Sequence, residues 1–406
     1  MSRALPARPR ARGEPVVDQY WPVVAGAFGA SFVAFLGLFN YGIFLDALSR
    51  EFDAGKGLTA AVFSVTTFVY YLSGMVAGRL ADRFGPRPVI GAAAVLVGVG
   101  FGLGSLAQSL WQLGLIWALT LGPGVGASYS PLVAAVGAWF EQRRALALGL
   151  ALSGAGAGIM AGAPICSALL RAFGWRSAFA LIGAGSALVL AASAWTARPR
   201  PGVHTGGPAS LRPLLRTRTF ALMFLAVALL SVAFFTPFVF LASYAESRGI
   251  GPATTALIVG LIGFTSTTGR LVLAAVGGRL GEVRIYQISF GLMTASYVVW
   301  LLAGSSAAAL ALYSVLMGTG YGGFVALGPA VLARTFGPER LGGLVGTLYS
   351  AFAIGSALSP PLIGWLTDTV GAASGIAVAL ASAAGALVAT LGLPEREVLP
   401  GGDAAV

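Results

Sequence analysis

The stretch GRLADRFGPR (Gly78–Arg87) has a shortened echo, GRLGEVR (Gly278–Arg284), 200 positions further on. Each closes a long apolar run, and each places an acid, Asp82 or Glu282, two residues after Gly-Arg-Leu. Other pairs keep nearly the same spacing. GPGVG (Gly122–Gly126) matches GTGYG (Gly318–Gly322) at an offset of 196, and Gly149 and Pro164 match Gly346 and Pro361 at 197. A chain that repeats at half its length is built from two like halves, and parallel repeats of this kind are a common plan for transporters with a site between the halves.

The composition sets those halves in a membrane. Of 406 residues, 57% are hydrophobic and only 10% charged, with a mean hydropathy of +0.85, whereas a soluble domain carries roughly 25% charge. Apolar stretches long enough to cross a core of about 30 Å fall at 21–45, 58–80, 89–109, 111–139, 144–170 and 177–196. They resume at 219–244, 253–279, 285–303, 306–335, 341–367 and 371–393. The expected fold is an all-α membrane protein of 12 helices in two six-helix bundles related by a pseudo-twofold axis. The bundles run over 21–196 and 219–393, with a linker at 197–218 and tails at 1–20 and 394–406.

With the N-terminus inside, 19 of the 25 basic residues fall in inner loops and tails, and five in outer loops. That asymmetry places both termini in the cytoplasm and accounts for the net charge of +11 without nucleic acid. The one basic residue left over is Arg270. One cysteine, Cys166, and one histidine, His204, exclude a disulfide framework and the usual Cys/His metal sites. With no acid expected inside a span, no catalytic cluster can be assembled, so an enzyme is not expected. A short linker without apolar periodicity likewise argues against a sensor with an output domain. The basic N-terminus lacks the apolar core of a cleaved signal peptide. The Ala/Gly/Arg bias and the single lysine, Lys56, point to a bacterial inner membrane.

GRLADRFGPR resembles the motif between the second and third helices of the major facilitator superfamily. Gly78, Leu80, Ala81, Asp82, Arg83, Gly85 and Arg87 match, and Pro86 departs from it. The resemblance implies a gating role for Gly78, Asp82, Arg83 and the repeat partner Glu282. Arg79 and Arg87 also read as static positive-inside anchors. A narrower resemblance rests on GPGVGASYSPLVAAVGAWFEQRRALALGLALSGAGAG (residues 122–158) and on Gly269-Arg270. It is to the monocarboxylate transporter branch, which includes bacterial oxalate–formate exchangers, and it implies that Arg270 binds the substrate carboxylate.

Arg270 lies nine residues before Arg279, about 13 Å along a helix, so its side chain cannot easily reach water at either surface. A guanidinium there costs several kcal/mol unless it has a task, and its planar fork matches a carboxylate. Tyr129 matches the branch's tyrosine and can offer a hydroxyl to the second carboxylate oxygen. Asn40 and Tyr41 form a polar pair in span 1 that reads equally as lining or packing. Phe234, Phe238, Tyr321, Tyr349 and Phe352 are candidate walls, though each aromatic alone also reads as packing. Thr265, Ser266, Thr267 and Thr268 are expected to bond their own helix.

Three departures from the branch bear on coupling. Phe352 stands where the oxalate–formate type has a lysine, which disfavours a dianion. Ser266 stands where proton-coupled animal members have an aspartate, four residues before Arg270. The acidic, Gly-rich signature before span 1 is reduced to DQYWPVV. Asp46, near the outer end of span 1, is the remaining proton site. The expected function is secondary transport of a small, lactate- or pyruvate-like monocarboxylate by alternating access with proton symport. The alternatives are organic-anion exchange of the oxalate–formate type and, less suited to a midplane cation, drug or metabolite export. Substrate, protons and the lipid bilayer are the expected partners of a monomer, with no metal or cofactor.

Overall fold

In hydrocarbon every backbone N–H and C=O must be satisfied within the protein, and a helix achieves this by itself. The computed structural model describes residues 20–140, 143–197, 215–336 and 341–393, and every regular element in them is helical. The side chains of Asp82, Tyr129 and a few neighbours, both tails and most of the linker lie outside what is described.

Among the described residues, ten stretches are long and apolar enough to cross a membrane. One of them, Leu146–Thr196, holds two crossings that meet at Gly174 (φ 75°, ψ 169°). The 29-residue helix Leu341–Thr369, interrupted in composition by Pro360 and Pro361, packs among them as a further crossing. The twelve are span 1 (Trp21–Leu38), span 2 (Lys56–Phe84), span 3 (Pro86–Gly104) and span 4 (Leu110–Leu119 continued by Leu121–Trp139). Spans 5 and 6 are the two arms of Arg144–Thr196, followed by span 7 (Arg218–Ser247) and span 8 (Pro252–Leu280). Span 9 (Glu282–Leu302), span 10 (Ala307–Phe336), span 11 (Leu341–Thr369) and span 12 (Ala372–Leu391) complete the set.

The repeat seen in the sequence is carried by the turns. Gly85 (φ 85°) joins spans 2 and 3, and Gly281 (φ 99°) joins spans 8 and 9, 196 positions later. Gly174 (φ 75°) and Gly371 (φ 114°), 197 positions apart, do the same between spans 5 and 6 and between 11 and 12. Both pairs occupy a region of φ that an L side chain rarely adopts, so a matching glycine gives each half the same corner.

Local chemistry moves several expected boundaries. Span 1 stops at Leu38 instead of running to 45, and a 3-10 turn (Tyr41–Ile43) and a short helix (Leu45–Glu51) follow. Asn40 is the cause: its Nδ2 donates to the Leu36 carbonyl at 2.9 Å, competing with the helical ladder. Span 4 is broken at Thr120 (φ −124°, ψ −63°), whose hydroxyl donates to Ile116 O at 2.5 Å. The expected outer loop at 171–176 shrinks to the break at Gly174. Span 7 begins at Arg218, one residue before its expected start, because Thr217 caps it by accepting from Phe220 N at 3.2 Å.

Lipid tails are as apolar as leucine, so close approach rather than water exclusion drives helices together in a bilayer. Span 5 meets span 1 through Gly154, Gly158 and Gly162, and it meets span 8 through Gly156, Gly260 and Gly263. Span 2 lies against span 11, and the 3-10 turn after span 1 lies against span 7. These contacts join the two halves.

Candidate site at the interface of the two halves

Arg270 occupies the middle of span 8, where small residues bring spans 8 and 10 together. A Cβ on Gly269 would stand 2.7 Å from Thr319 Cα, and one on Gly322 would stand 2.6 Å from the Arg270 amide nitrogen. The guanidinium reaches across to the other half, where Nη1 donates to the Leu152 carbonyl of span 5 at 3.1 Å. Its Nε is buried without a hydrogen-bond partner. Among the described residues the ion pairs are Lys56–Asp46 and Arg176–Glu51, so no described carboxylate balances Arg270. The cation is therefore held between the halves by one neutral acceptor, with donor capacity to spare.

The hydroxyls before it separate into two kinds. Thr265, Thr267 and Thr268 bond carbonyls of their own helix, and Thr265 also donates to Ser314 O of span 10 at 3.1 Å. These three serve the scaffold, as expected. Ser266 is fully buried and its Oγ has no partner. It stands four residues before Arg270, so the two share a helix face.

Five of the candidate aromatics form one connected cluster. Phe352 lies 5.1 Å from Phe234 and 5.9 Å from Tyr349, centroid to centroid. Phe234 lies 5.3 Å from Phe238 and 4.9 Å from Tyr321. Tyr321 precedes the Gly322 that seats the Arg270 backbone, which ties the cluster to the cation. The cluster also crosses between halves: Phe39 meets Phe238 at 5.1 Å, and Tyr71 stacks on Phe352 at 6.0 Å.

Asn40 and Tyr41 sit at the break after span 1, where Asn40 precedes and Tyr41 opens the 3-10 turn, not inside the α-helix of the span. Asn40 Nδ2 also approaches Gly158 O of span 5 at 3.3 Å, while its Oδ1 is buried without a partner. Tyr41 is fully buried, donates to Thr59 O at 2.6 Å, and packs on Phe63 and Trp117 within the first half. That environment is packing, and Tyr41→Phe tests it. Loss of one buried bond should lower stability by about 0.6 to 1 kcal/mol with substrate KM unchanged, as read by thermal unfolding and uptake kinetics. A shift in KM without a change in stability would place Tyr41 at the substrate instead.

At the face away from the termini, a polar lock joins the halves. Asp46, in the short helix after span 1, accepts from Ser243 Oγ of span 7 at 2.8 Å and pairs with Lys56 Nζ at 3.4 Å. Lys56 in turn donates to Ser243 Oγ. Lys56 is the first residue of span 2, not a loop residue as its charge implied. Beside it, Asp368 of span 11 accepts from the Gly57 amide at 3.0 Å, a carboxylate cap on the positive end of span 2 supplied by the other half. A Cβ on Gly57 would stand 2.8 Å from the Trp365 amide nitrogen, and one on Gly364 2.5 Å from Gly57 Cα. Nearby, Arg176 bonds Glu51 at 2.6 Å and holds that carboxyl below its ordinary value.

The terminal face contrasts with this. Cβ atoms on Gly78, Gly149, Gly278 and Gly346 would meet nothing within 4 Å. These positions belong to spans 2, 5, 8 and 11, the same four that meet tightly elsewhere. The described halves are thus locked at the far face, joined at mid-depth by Arg270 and aromatic rings, and spaced at the terminal face. Gly78 and the exposed Arg83 stand near the terminal end of span 2, and Glu282 starts span 9; none of them reaches the central site.

Sequence reasoning missed Lys56, Ser243 and Asp368, and the carbonyl of Leu152. The one available signal was that Lys56 is the single lysine in a chain of arginines.

Known proteins share this architecture. The family model described as Major Facilitator Superfamily matches residues 27–309 and an overlapping second segment, 252–405. Monocarboxylate transporter 3 of Rattus norvegicus is 30% identical over 377 residues, which cover 89% of this chain and 76% of the relative. Monocarboxylate transporter 11 of Homo sapiens is 30% identical over 389 residues, covering 89% and 80%. Among solved structures, a bacterial homologue of the human lysosomal transporter Spinster, inward-facing and unoccupied, superposes with a TM-score of 0.76 at 14% identity. It covers 96% of this chain and 100% of its own. The nucleoside transporter NupG gives 0.76 at 13% identity, covering 91% and 98%. At such identities the likeness is one of fold.

Proposed function

The chain belongs to the major facilitator superfamily and is related to its monocarboxylate transporter branch; on that footing we propose that it carries a small monocarboxylate by alternating access, with Arg270 as the carboxylate clamp. The observation that carries this reading is a guanidinium bonded across the two halves, to Leu152 O, with no described acid beside it. A carboxylate offers two charged oxygens where Leu152 offers one neutral one. It therefore displaces the carbonyl and neutralises the cation in the same step. Tyr129, Asn40 and the cluster of Phe234, Phe238, Tyr321, Tyr349 and Phe352 supply the rest of the pocket, and Tyr41 is scaffold. An apolar wall with one cation suits a small monoanion such as lactate or pyruvate.

Displacing the Leu152 bond frees one tie between spans 5 and 8. Reorientation then requires the far face to part, breaking the Asp46–Lys56–Ser243 lock and the Asp368 cap. With the termini in the cytoplasm, as the distribution of arginines implies, the structure is inward-facing and the lock is external. The gate residues of the repeated motif, Gly78, Asp82, Arg83 and Glu282, lie on the opposite side, where the inner gate closes. The membrane is assigned as a bacterial inner membrane on composition.

Coupling is assigned to Asp46. A proton on its carboxyl removes the charge that holds Lys56 and weakens the bond from Ser243, which loosens the external lock from the acidic side. Uptake of labelled lactate into proteoliposomes with an imposed inward proton gradient tests this. Wild type should accumulate about tenfold more with the gradient than without, and Asp46→Asn should lose that difference. Equal stimulation of the two removes Asp46 from coupling. One observation favours a second reading, organic-anion exchange: an empty carrier keeps Arg270 uncompensated, which opposes its return. Wild-type uptake that ignores the gradient and needs internal anion selects exchange.

A further inference from the structure

We propose that a groove between spans 2, 3 and 4, on the lipid-facing surface near the terminal face, selectively holds an anionic phospholipid. The groove has a volume of about 520 Å³, and its walls include Leu80 and Phe84 of span 2, Val89 and Ala92 of span 3, and Pro123 and Ala127 of span 4. Leu80 is 42% and Phe84 59% exposed, so these side chains await an apolar neighbour. In a bilayer an acyl chain supplies one. Cavity and wall alone would accept any lipid, and the selectivity comes from the rim.

One guanidinium stands there. The Arg83 guanidinium lies over the ring of Phe84, a wall residue, at 5.1 Å. Arg87 instead lies over Trp195 of span 6 at 5.6 Å, on the face of span 3 turned away from the groove. Arg83 is exposed. Across residues 79–87 three arginines face one acid, Asp82. The start of span 3 adds little, because Pro86 and Pro88 remove two of the amides that a helix N-terminus would offer an anion. Recognition thus rests on the planar, bidentate donor of Arg83, suited to a phosphodiester. A zwitterionic headgroup would bring a cation to the same rim. Contact with the Phe84 ring also fixes the Arg83 guanidinium, which lowers the entropy lost on binding.

The test uses the full-length protein in detergent, titrated with phosphatidylglycerol or phosphatidylcholine of equal chain length and read by native mass spectrometry. Wild type should retain phosphatidylglycerol with roughly fivefold preference, the effect expected of one basic residue near an anionic headgroup. The variant R83Q should bring that preference close to unity, and R87Q, whose side chain lies towards span 6, should leave it intact. Ala92→Phe, an exposed position that fills the groove without touching the charges, should reduce retention of both lipids severalfold. R279Q/R284Q changes the equivalent turn of the second half and should leave the preference intact. The proposal is overturned by equal retention of the two lipids in wild type, by no effect of Ala92→Phe, or by an equal loss in R279Q/R284Q, which would make the effect a property of any basic surface.

Discussion

Arg270→Ala should reduce kcat/KM for monocarboxylate uptake by a factor on the order of 10² to 10³, with the protein still inserted and folded. The size follows from losing a charge-assisted, bidentate contact of about 3 to 4 kcal/mol. Folding should survive because Arg270 makes one described hydrogen bond, to a backbone carbonyl, and leaves no described carboxylate stranded when removed. Arg270→Lys keeps the charge but not the fork, so it should recover only a small fraction of activity. Full activity in Arg270→Lys would reduce the clamp to a point charge. Uptake kinetics at matched reconstitution levels give both numbers. A collapse of yield in Arg270→Ala would instead show that the residue holds the bundle together.

Gly57→Leu should be nearly as damaging by a different route. The site has no room: even a Cβ would stand 2.8 Å from the Trp365 amide nitrogen, and that atom belongs to rigid backbone. A leucine there wedges spans 2 and 11 apart at the far face. It also disturbs the Gly57 amide that Asp368 caps. Uptake should fall at least tenfold while the monocarboxylate still binds. The direction of the defect is measurable with a cysteine at Ser243, a buried member of the lock, since the chain's own Cys166 is buried. In Ser243→Cys alone, a membrane-impermeant maleimide added from outside should react slowly. Adding Gly57→Leu should raise that rate about tenfold or more. Unchanged labelling would show that the far face is not held shut by this contact.

The fold was readable because its determinants are local or periodic. Apolar stretches announce spans, and the repeated Gly-Arg-Leu-x-acid marks two turns whose glycines, Gly85 just after the first copy and Gly281 inside the second, share a positive φ. Arg270 was readable by subtraction, as the one basic residue outside loops and tails. Its partner was not, because a backbone carbonyl such as that of Leu152 leaves no mark in a sequence. The far-face lock was hidden for a related reason. Asp46, Lys56, Ser243 and Asp368 come from four separate elements, and Ser243 resembles any other serine in a span. The end of span 1 shows a signal misread: Asn40 and Tyr41 read as a polar pair inside a helix, equally lining or packing, whereas the Asn40 amide ends that helix by taking the Leu36 carbonyl. The glycine contacts between spans 2 and 11 exist only in three dimensions.

The central claim, that Arg270 binds the carboxylate of the transported acid, is tested most directly by equilibrium binding to the purified protein. Isothermal titration of wild type and Arg270→Ala with lactate, pyruvate and the neutral analogue lactamide separates binding from every later step of transport. The account predicts that wild type binds lactate or pyruvate, binds lactamide at least 100-fold more weakly, and loses the carboxylates on Arg270→Ala while its unfolding temperature stays near that of wild type. Arg270→Ala that binds the carboxylates as tightly as wild type would contradict it.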